Sequence, residues 1–235
     1  MSRQTATDQV DTDSPVLSGR QVLADDVYDV MREWILSGRI EPGARIKIDS
    51  IAAQVGVSNT PVRQALGRLE ADGLVTKRPY RGFIASSLLD LKELRDIYEC
   101  RLLIEPATAK RAASAMTGTG LESLREALAA AGTVGREHDT RKLVEYDQTL
   151  HGRIAALAGN FAVEDVLARM FVRSRNFRSG YPEPGAAAAA AREHQEIVDA
   201  LDQRDGVRAE RAMRAHLQAA VKRMAEQEET RTRHR

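Results

Sequence analysis

The sequence predicts a mainly α fold: an N-terminal winged helix-turn-helix followed by an all-α antiparallel helical bundle. Three observations predict it. Apolar residues recur at three-and-four spacing through most of the 235 residues. That rhythm breaks between Leu74 and Ala85, where two short segments flank a basic turn. From Leu88 onward no segment reads as a strand, and Ala and Leu are abundant while aromatic residues make up only 4%.

The elements follow in chain order. Residues 1–16 read as a disordered tail. A first helix is expected from about Ser18 to Ser37, with Val22, Val27, Val30, Met31 and Ile35 on one face and Trp34 nearby. Gly38 and Pro42-Gly43 end it. Ile51, Ala52 and Val55 mark the inner face of a second helix, and Val62, Ala65, Leu66 and Leu69 that of a third. Gly56-Val57 forms the turn between them, and glycine suits the left-handed backbone such a turn needs. Ser58, Asn59 and Thr60 can each cap the third helix, and Pro61 falls in its first turn, where a missing N–H costs little. A strand from Leu74 to Lys77, the turn Arg78-Pro79-Tyr80-Arg81 and a return strand from Gly82 to Ala85 complete a unit spanning residues 17–86.

The outward side of the third helix is chemically distinctive. Ser58, Asn59, Thr60, Arg63, Gln64 and Arg68 carry groups suited to phosphates and base edges, and the helix N-terminus adds backbone N–H donors. Lys77, Arg78, Arg81 and Gly82 line the hairpin. Between Arg39 and Ala85 eight Lys and Arg face four Asp and Glu, whereas the whole chain has 35 against 34, so positive charge is concentrated here. The residues therefore point to double-stranded DNA as partner. A compact helical subdomain with a protein-binding role is the plainer alternative.

The segment PGARI (Pro42 to Ile46), the run VSNTPVRQALGRLEADGLV from Val57, and Arg81-Gly82 are similar to the GntR family of bacterial transcription regulators. The resemblance implies a homodimer that reads an inverted repeat. Arg63 matches the family pattern. Asn59 stands where Arg is usual, Gln64 where Glu is common and Gly67 where Arg is frequent, which implies an altered operator preference rather than lost binding.

The second domain is expected over residues 87–228, with 229–235 as a second tail. Ser87 with Asp90 forms a plausible capping box. Six helices are expected at about 88–115, 119–133, 140–158, 161–179, 187–203 and 205–228, separated by Gly- and Pro-containing breaks. This organisation resembles the FadR-like subfamily of GntR regulators, whose C-terminal domain is called FCD. Six helices rather than seven resemble its VanR-type branch.

Polar residues interrupt the inner faces of this bundle. Asp147 and His151 are one turn apart beside Leu150 and Ile154; His194 lies beside Ile197, Val198 and Leu201; His216 lies beside Met213 and Leu217. Burying these groups unpaired is costly. Each histidine taken alone reads as a core residue satisfied by a hydrogen bond; together with Asp147 the set suits a first-row divalent metal, zinc foremost, with nickel or manganese also possible. The resemblance implies the same set, because an Asp-x-x-x-His pair and two later histidines bind metal in FCD domains. The other two histidines, His138 and His234, fall in a loop and the tail. Arg101 is the remaining misfit. It reads either as an internal ion pair with Glu105 or as an anchor for an anionic effector, since guanidinium can hold a carboxylate with two bonds. Small organic acids are the effectors the resemblance implies.

Taken together, a ligand-responsive DNA-binding regulator, repressor in sign, is the principal expectation, with no enzymatic activity. A metal-dependent enzyme using the Asp and three His, a regulator responding to the metal itself, and a receptor for a long-chain acyl ligand are the alternatives. Four protein ligands leave little room for an activated water, and a polar core disfavours an acyl chain. The single cysteine excludes an intramolecular disulfide, and no run approaches the ~20 apolar residues of a membrane span, so a cytoplasmic location is expected.

Overall fold

The computed structural model describes residues 24–137, 140–175 and 185–233. The chain divides between Ser87 and Leu88 into two compact units. The expected tail at 1–16, the start of the first helix, His138 and His234 lie outside the described residues.

In the first unit, α1 (Ala24–Leu36), α2 (Ile48–Val55) and α3 (Asn59–Ala71) enclose an apolar core. Val27, Met31, Trp34 and Ile35 of α1 are buried with Ile51 and Val55 of α2 and Val62, Leu66 and Leu69 of α3. Gly56 ends α2 at φ 77° and ψ 34°, the left-handed cap that a tight helix-turn-helix corner needs. Tyr28 Oη donates to Asp72 Oδ2 at 2.6 Å, tying α1 to the cap of α3.

Strand β2 (Val75–Arg78) pairs antiparallel with β3 (Gly82–Ala85), and Arg78 opposes Gly82. A two-residue strand, β1 (Arg45–Ile46), pairs with the other edge of β3, giving the order β1-β3-β2. It was not among the expected elements, because two residues carry no readable alternation. Gly43 N–H and Ala44 carbonyl extend this pairing through Ala85. The chain entering α2 is thereby fixed to the wing.

The second unit contains, among the described residues, six helices: α4 (Leu91–Ala115), α5 (Gly118–Glu137), α6 (Thr140–Leu157), α7 (Phe161–Arg175), α8 (Ala186–Asp202) and α9 (Gly206–Arg233). The expected capping residue was Ser87; the structure uses Asp90 instead. Asp90 Oδ1 accepts from Glu93 N–H at 2.7 Å and Glu93 Oε2 from Asp90 N–H at 2.9 Å, a complete capping box. Leu89 and Leu94, at the positions of a hydrophobic staple, are both buried. A carboxylate also suits the positive helix end better than a hydroxyl. Residues 229–233, expected as tail, continue α9, whose Glu, Arg and Gln residues are good helix formers.

Small residues let the helices approach. Ala109, Ala112 and Ala113 of α4 and Ala209 of α9 are fully buried. A Cβ on Gly206 would lie 3.1 Å from the Lys110 carbonyl of α4. Gly159 turns the chain at φ 65°, and Asn160 Oδ1 accepts from Ala162 and Val163 N–H to start α7. Leu124, Leu150, Ile154, Ile197, Leu201, Met213 and Leu217 fill the interior. Among the described residues no helix is long and apolar enough to cross a membrane.

Candidate metal centre and nucleic-acid interface

Asp147 and His151 stand one turn apart on α6, His194 projects from α8 and His216 from α9. The structure brings all four together, with one donor atom from each lying within 4.8 Å of the others. Three imidazole Nε2 atoms and one carboxylate oxygen share a small volume. His194 Nε2 is 3.2 Å from His216 Nε2 and 3.4 Å from His151 Nε2. Asp147 Oδ1 is 3.2 Å from His194 Nε2 and 3.6 Å from each of the other two. Bonds of about 2.0–2.1 Å to one four-coordinate ion set donors roughly 3.3–3.4 Å apart, so these separations fit a single first-row divalent metal.

The outer nitrogens explain why the Nε2 atoms can face one another. His216 Nδ1 is 2.8 Å from Glu193 Oε2, and His151 Nδ1 makes a close contact with Glu105 Oε2. Carboxylates only accept, so each of these Nδ1 atoms carries the proton and leaves Nε2 a lone pair. The third, His194 Nδ1, is 3.1 Å from Tyr146 Oη, a hydroxyl that can accept as well as donate.

Two arginines hold these carboxylates. Arg223 grips Glu193 with both ends of its guanidinium, at 2.6 and 2.9 Å. Arg101, fully buried, donates through Nε to Glu105 Oε1 and stands 3.7 Å from Asp147 Oδ2 through Nη2. Its guanidinium also lies over the rings of Tyr98 and Phe171. His151 Nδ1 is 3.2 Å from Arg101 Nη2 as well, but two donors face each other there, so the proton goes to Glu105. The internal ion pair with Glu105, one of the two sequence readings of Arg101, is present.

The electrostatics follow. Burial works to raise the Glu105 pKa, but Arg101 and His151 outweigh it and bring it down to about 2. Glu193 likewise falls to about 2, with His216 and Arg223 overcoming burial. Burial opposes the charge on Asp147 too, yet the surrounding imidazoles and Arg101 hold it well below the usual range. Burial is the largest influence on His194 and lowers it to about 4, which keeps it neutral at neutral pH. The result is an anionic oxygen and, at His194, a neutral imidazole, the forms in which these side chains bind metal. At His216 burial works against the charge, but Asp147 and Glu193 outweigh it and raise the pKa, so metal would displace a proton there. The histidine side chains are at most 2% exposed and that of Asp147 is 24% exposed, so access is from the Asp147 side.

In the first unit Ser58, Asn59, Thr60, Arg63, Gln64 and Arg68 are all exposed on α3, and Lys77, Arg78, Arg81 and Gly82 on the wing. The Ser58 side chain makes no capping bond, so the first N–H groups of α3 stay available to an anion. Asn59, Arg68 and Lys77 have partners within the unit, and Lys77 Nζ lies 5.7 Å from the centroid of the Phe83 ring. Asn59 Nδ2 donates to Asp49 Oδ1 at 2.8 Å, bracing α2 against α3. Arg68 pairs with Asp25 and lies 4.2 Å over the ring of Tyr28, both on α1. The structure thus gives Arg68 a bracing position.

Residues 23–84 match the bacterial regulatory proteins of the gntR family, and residues 96–219 match the FCD domain. The chain belongs to the GntR family. An HTH-type transcriptional regulator of Streptomyces ambofaciens is 30% identical over 83% of this chain and 81% of its own length. The HTH-type transcriptional repressor RspR of Escherichia coli is 27% identical over 86% of this chain and 89% of its own. A probable D-xylose utilization operon transcriptional repressor of Paenarthrobacter nicotinovorans is 29% identical over 85% and 88%. Escherichia coli McbR/YncC shares the fold, with a TM-score of 0.73 at 19% identity over 88% of this chain and 99% of that one. These families and relatives are transcriptional regulators, not enzymes, and this GntR chain is a transcriptional regulator.

Glu105, Tyr146, Glu193 and Arg223 were not among the expected site residues. Tyr146 and Glu193 each immediately precede a metal-ligand candidate, about 100° around the helix from it. Arg223 follows His216 by two turns on the same face. That spacing was the available signal.

Proposed function

We propose that this GntR regulator is a homodimeric repressor whose operator binding is controlled by a small organic acid. The acid binds at a divalent metal, zinc foremost, held by Asp147, His151, His194 and His216. The observation that carries this reading is the convergence of three imidazole Nε2 atoms and one carboxylate oxygen, with outer nitrogens engaged by Glu105, Tyr146 and Glu193. A metal would satisfy all four groups at once and, by expanding to a fifth ligand, would supply a Lewis-acidic point on the partly exposed Asp147 side for a carboxylate to meet. Arg101 adds positive charge at that border through Nη2, which favours an anion.

Ser58, Thr60, Arg63 and Gln64 of α3 are the proposed base and phosphate contacts, with Lys77, Arg78, Arg81 and Gly82 on the wing. Asn59 and Arg68 belong to that set through the helix they brace. Two copies read an inverted repeat. For the effector to control this, it must bind the DNA-competent and incompetent states with different affinity.

The test is operator binding by metal-loaded and chelated protein, with and without a panel of small carboxylates. Release from DNA by a carboxylate, only when metal is present, is the expected result. Release by metal removal alone, with no carboxylate effect, would instead make the metal itself the signal.

A further inference from the structure

The β2–β3 hairpin ends in a residue that folding alone does not call for. Arg78 pairs with Gly82, and Arg81 N–H donates to the Arg78 carbonyl at 3.2 Å, closing a turn with Pro79 and Tyr80 at its centre. Tyr80 has φ 61°. Proline first and a positive φ second is the pattern of a type II turn, whose second central position favours Gly or Asn. A tyrosine there holds a left-handed backbone against its own Cβ.

Nothing inside the unit rewards that conformation. Tyr80 is 105% exposed, the most exposed large hydrophobic residue among those described. Among the described residues its side chain has no hydrogen bond, ion pair or ring contact. It stands between the exposed Arg78 and Arg81, at the tip of the basic wing. An aromatic side chain is thus presented outward, on a left-handed turn, between two cations.

We propose that the Tyr80 ring is an apolar DNA contact, lying in the minor groove against the deoxyribose edges while Arg78 and Arg81 meet the phosphates on either side. The ring suits this place because one part is apolar and the hydroxyl stays wet. The inference rests on the reading of the wing as a DNA-binding element. It carries a distinguishing signature. The ring is uncharged and displaces no counterion, so its contribution is the same at every salt concentration, whereas that of an arginine is not.

The test starts from duplexes that the wild-type full chain selects from a randomised library. Affinities of wild type, Tyr80→Asn, Tyr80→Phe and Arg81→Ala are then measured over a salt series. Asn tolerates the left-handed turn, so Tyr80→Asn should melt at or above the wild-type temperature. It should bind DNA about tenfold more weakly at every salt concentration, with the slope of log affinity against log salt unchanged. Tyr80→Phe should stay within about twofold of wild type. Arg81→Ala should reduce the slope by about 1. Wild-type affinity in Tyr80→Asn, a reduced slope in that variant, or a loss in Tyr80→Phe equal to that of Asn would each overturn the proposal. An effect of Arg81→Ala beside an inert Tyr80→Asn would leave the wing reading standing. Failure of the wild type to select any sequence would overturn both.

Discussion

At the residue scale, the centre is organised by which nitrogen of each histidine holds the proton. Glu105 and Glu193 settle that for His151 and His216, and they are in turn held by Arg101 and Arg223. Removing a ligand and removing its support should therefore differ. His194→Ala should lower both bound metal and melting temperature; no change in either would take His194 out of the ligand set. Glu193→Ala should weaken metal binding by about 10–100-fold in competition with a chelator, while Glu193→Gln, which still offers an accepting oxygen to Nδ1, should lose less. Arg101→Ala strands a buried Glu105 and should lower melting temperature and metal affinity together. In the other unit, Arg63→Ala should strongly weaken operator binding at unchanged melting temperature, because Arg63 is exposed and packs against nothing in the core. The four donors were legible in the sequence because Asp147 and His151 repeat one turn apart beside buried apolar neighbours. Their partners were not. Glu105 meets His151 across 46 residues, and Arg68 meets Asp25 across 43, distances at which helical spacing says nothing. Spacing correctly put Arg68 on the exposed side of α3 but could not show that α1 waits there.

At the element scale, the helices of the second unit were legible from periodicity and from breakers such as Gly159-Asn160, while their ends depended on competing caps. Ser87-x-x-Asp90 and Asp90-x-x-Glu93 overlap in sequence, and both fit a capping box. The structure takes the second because it provides two reciprocal bonds and buries Leu89 and Leu94 beside them. Asp90→Ala should therefore destabilise the protein by about 1 kcal/mol in denaturant unfolding, and Ser87→Ala by much less. β1 was missed for a different reason. Its two residues form a strand only because β3 offers a free edge, a property of the fold rather than of the segment.

At the scale of the whole molecule, the chain joins a DNA-reading unit to a bundle whose centre is polar in a way stability alone does not require. Replacing the three buried imidazoles and the partly buried Asp147 with apolar groups would suit the core better in the absence of a ligand. Their presence on three different helices makes metal occupancy a tie between α6, α8 and α9. Chelation should accordingly lower the melting temperature of the wild type and leave that of a variant lacking His194 and His216 unaffected, because binding energy to the native state adds to its stability. The family resemblance was legible from Val57 to Val75 and from the wing; the identity of the proposed effector would lie in the shape of the site around Asp147, which no linear pattern encodes.

The most direct test of the central claim is elemental analysis of the purified, untagged protein beside the variant with His194 and His216 both replaced by alanine. About one divalent metal ion per chain, zinc foremost, is expected in the wild type, and its loss in the variant. A wild type without metal, and without any rise in melting temperature on adding zinc, nickel or manganese, would contradict it and leave the three histidines and Asp147 as a hydrogen-bonded core cluster.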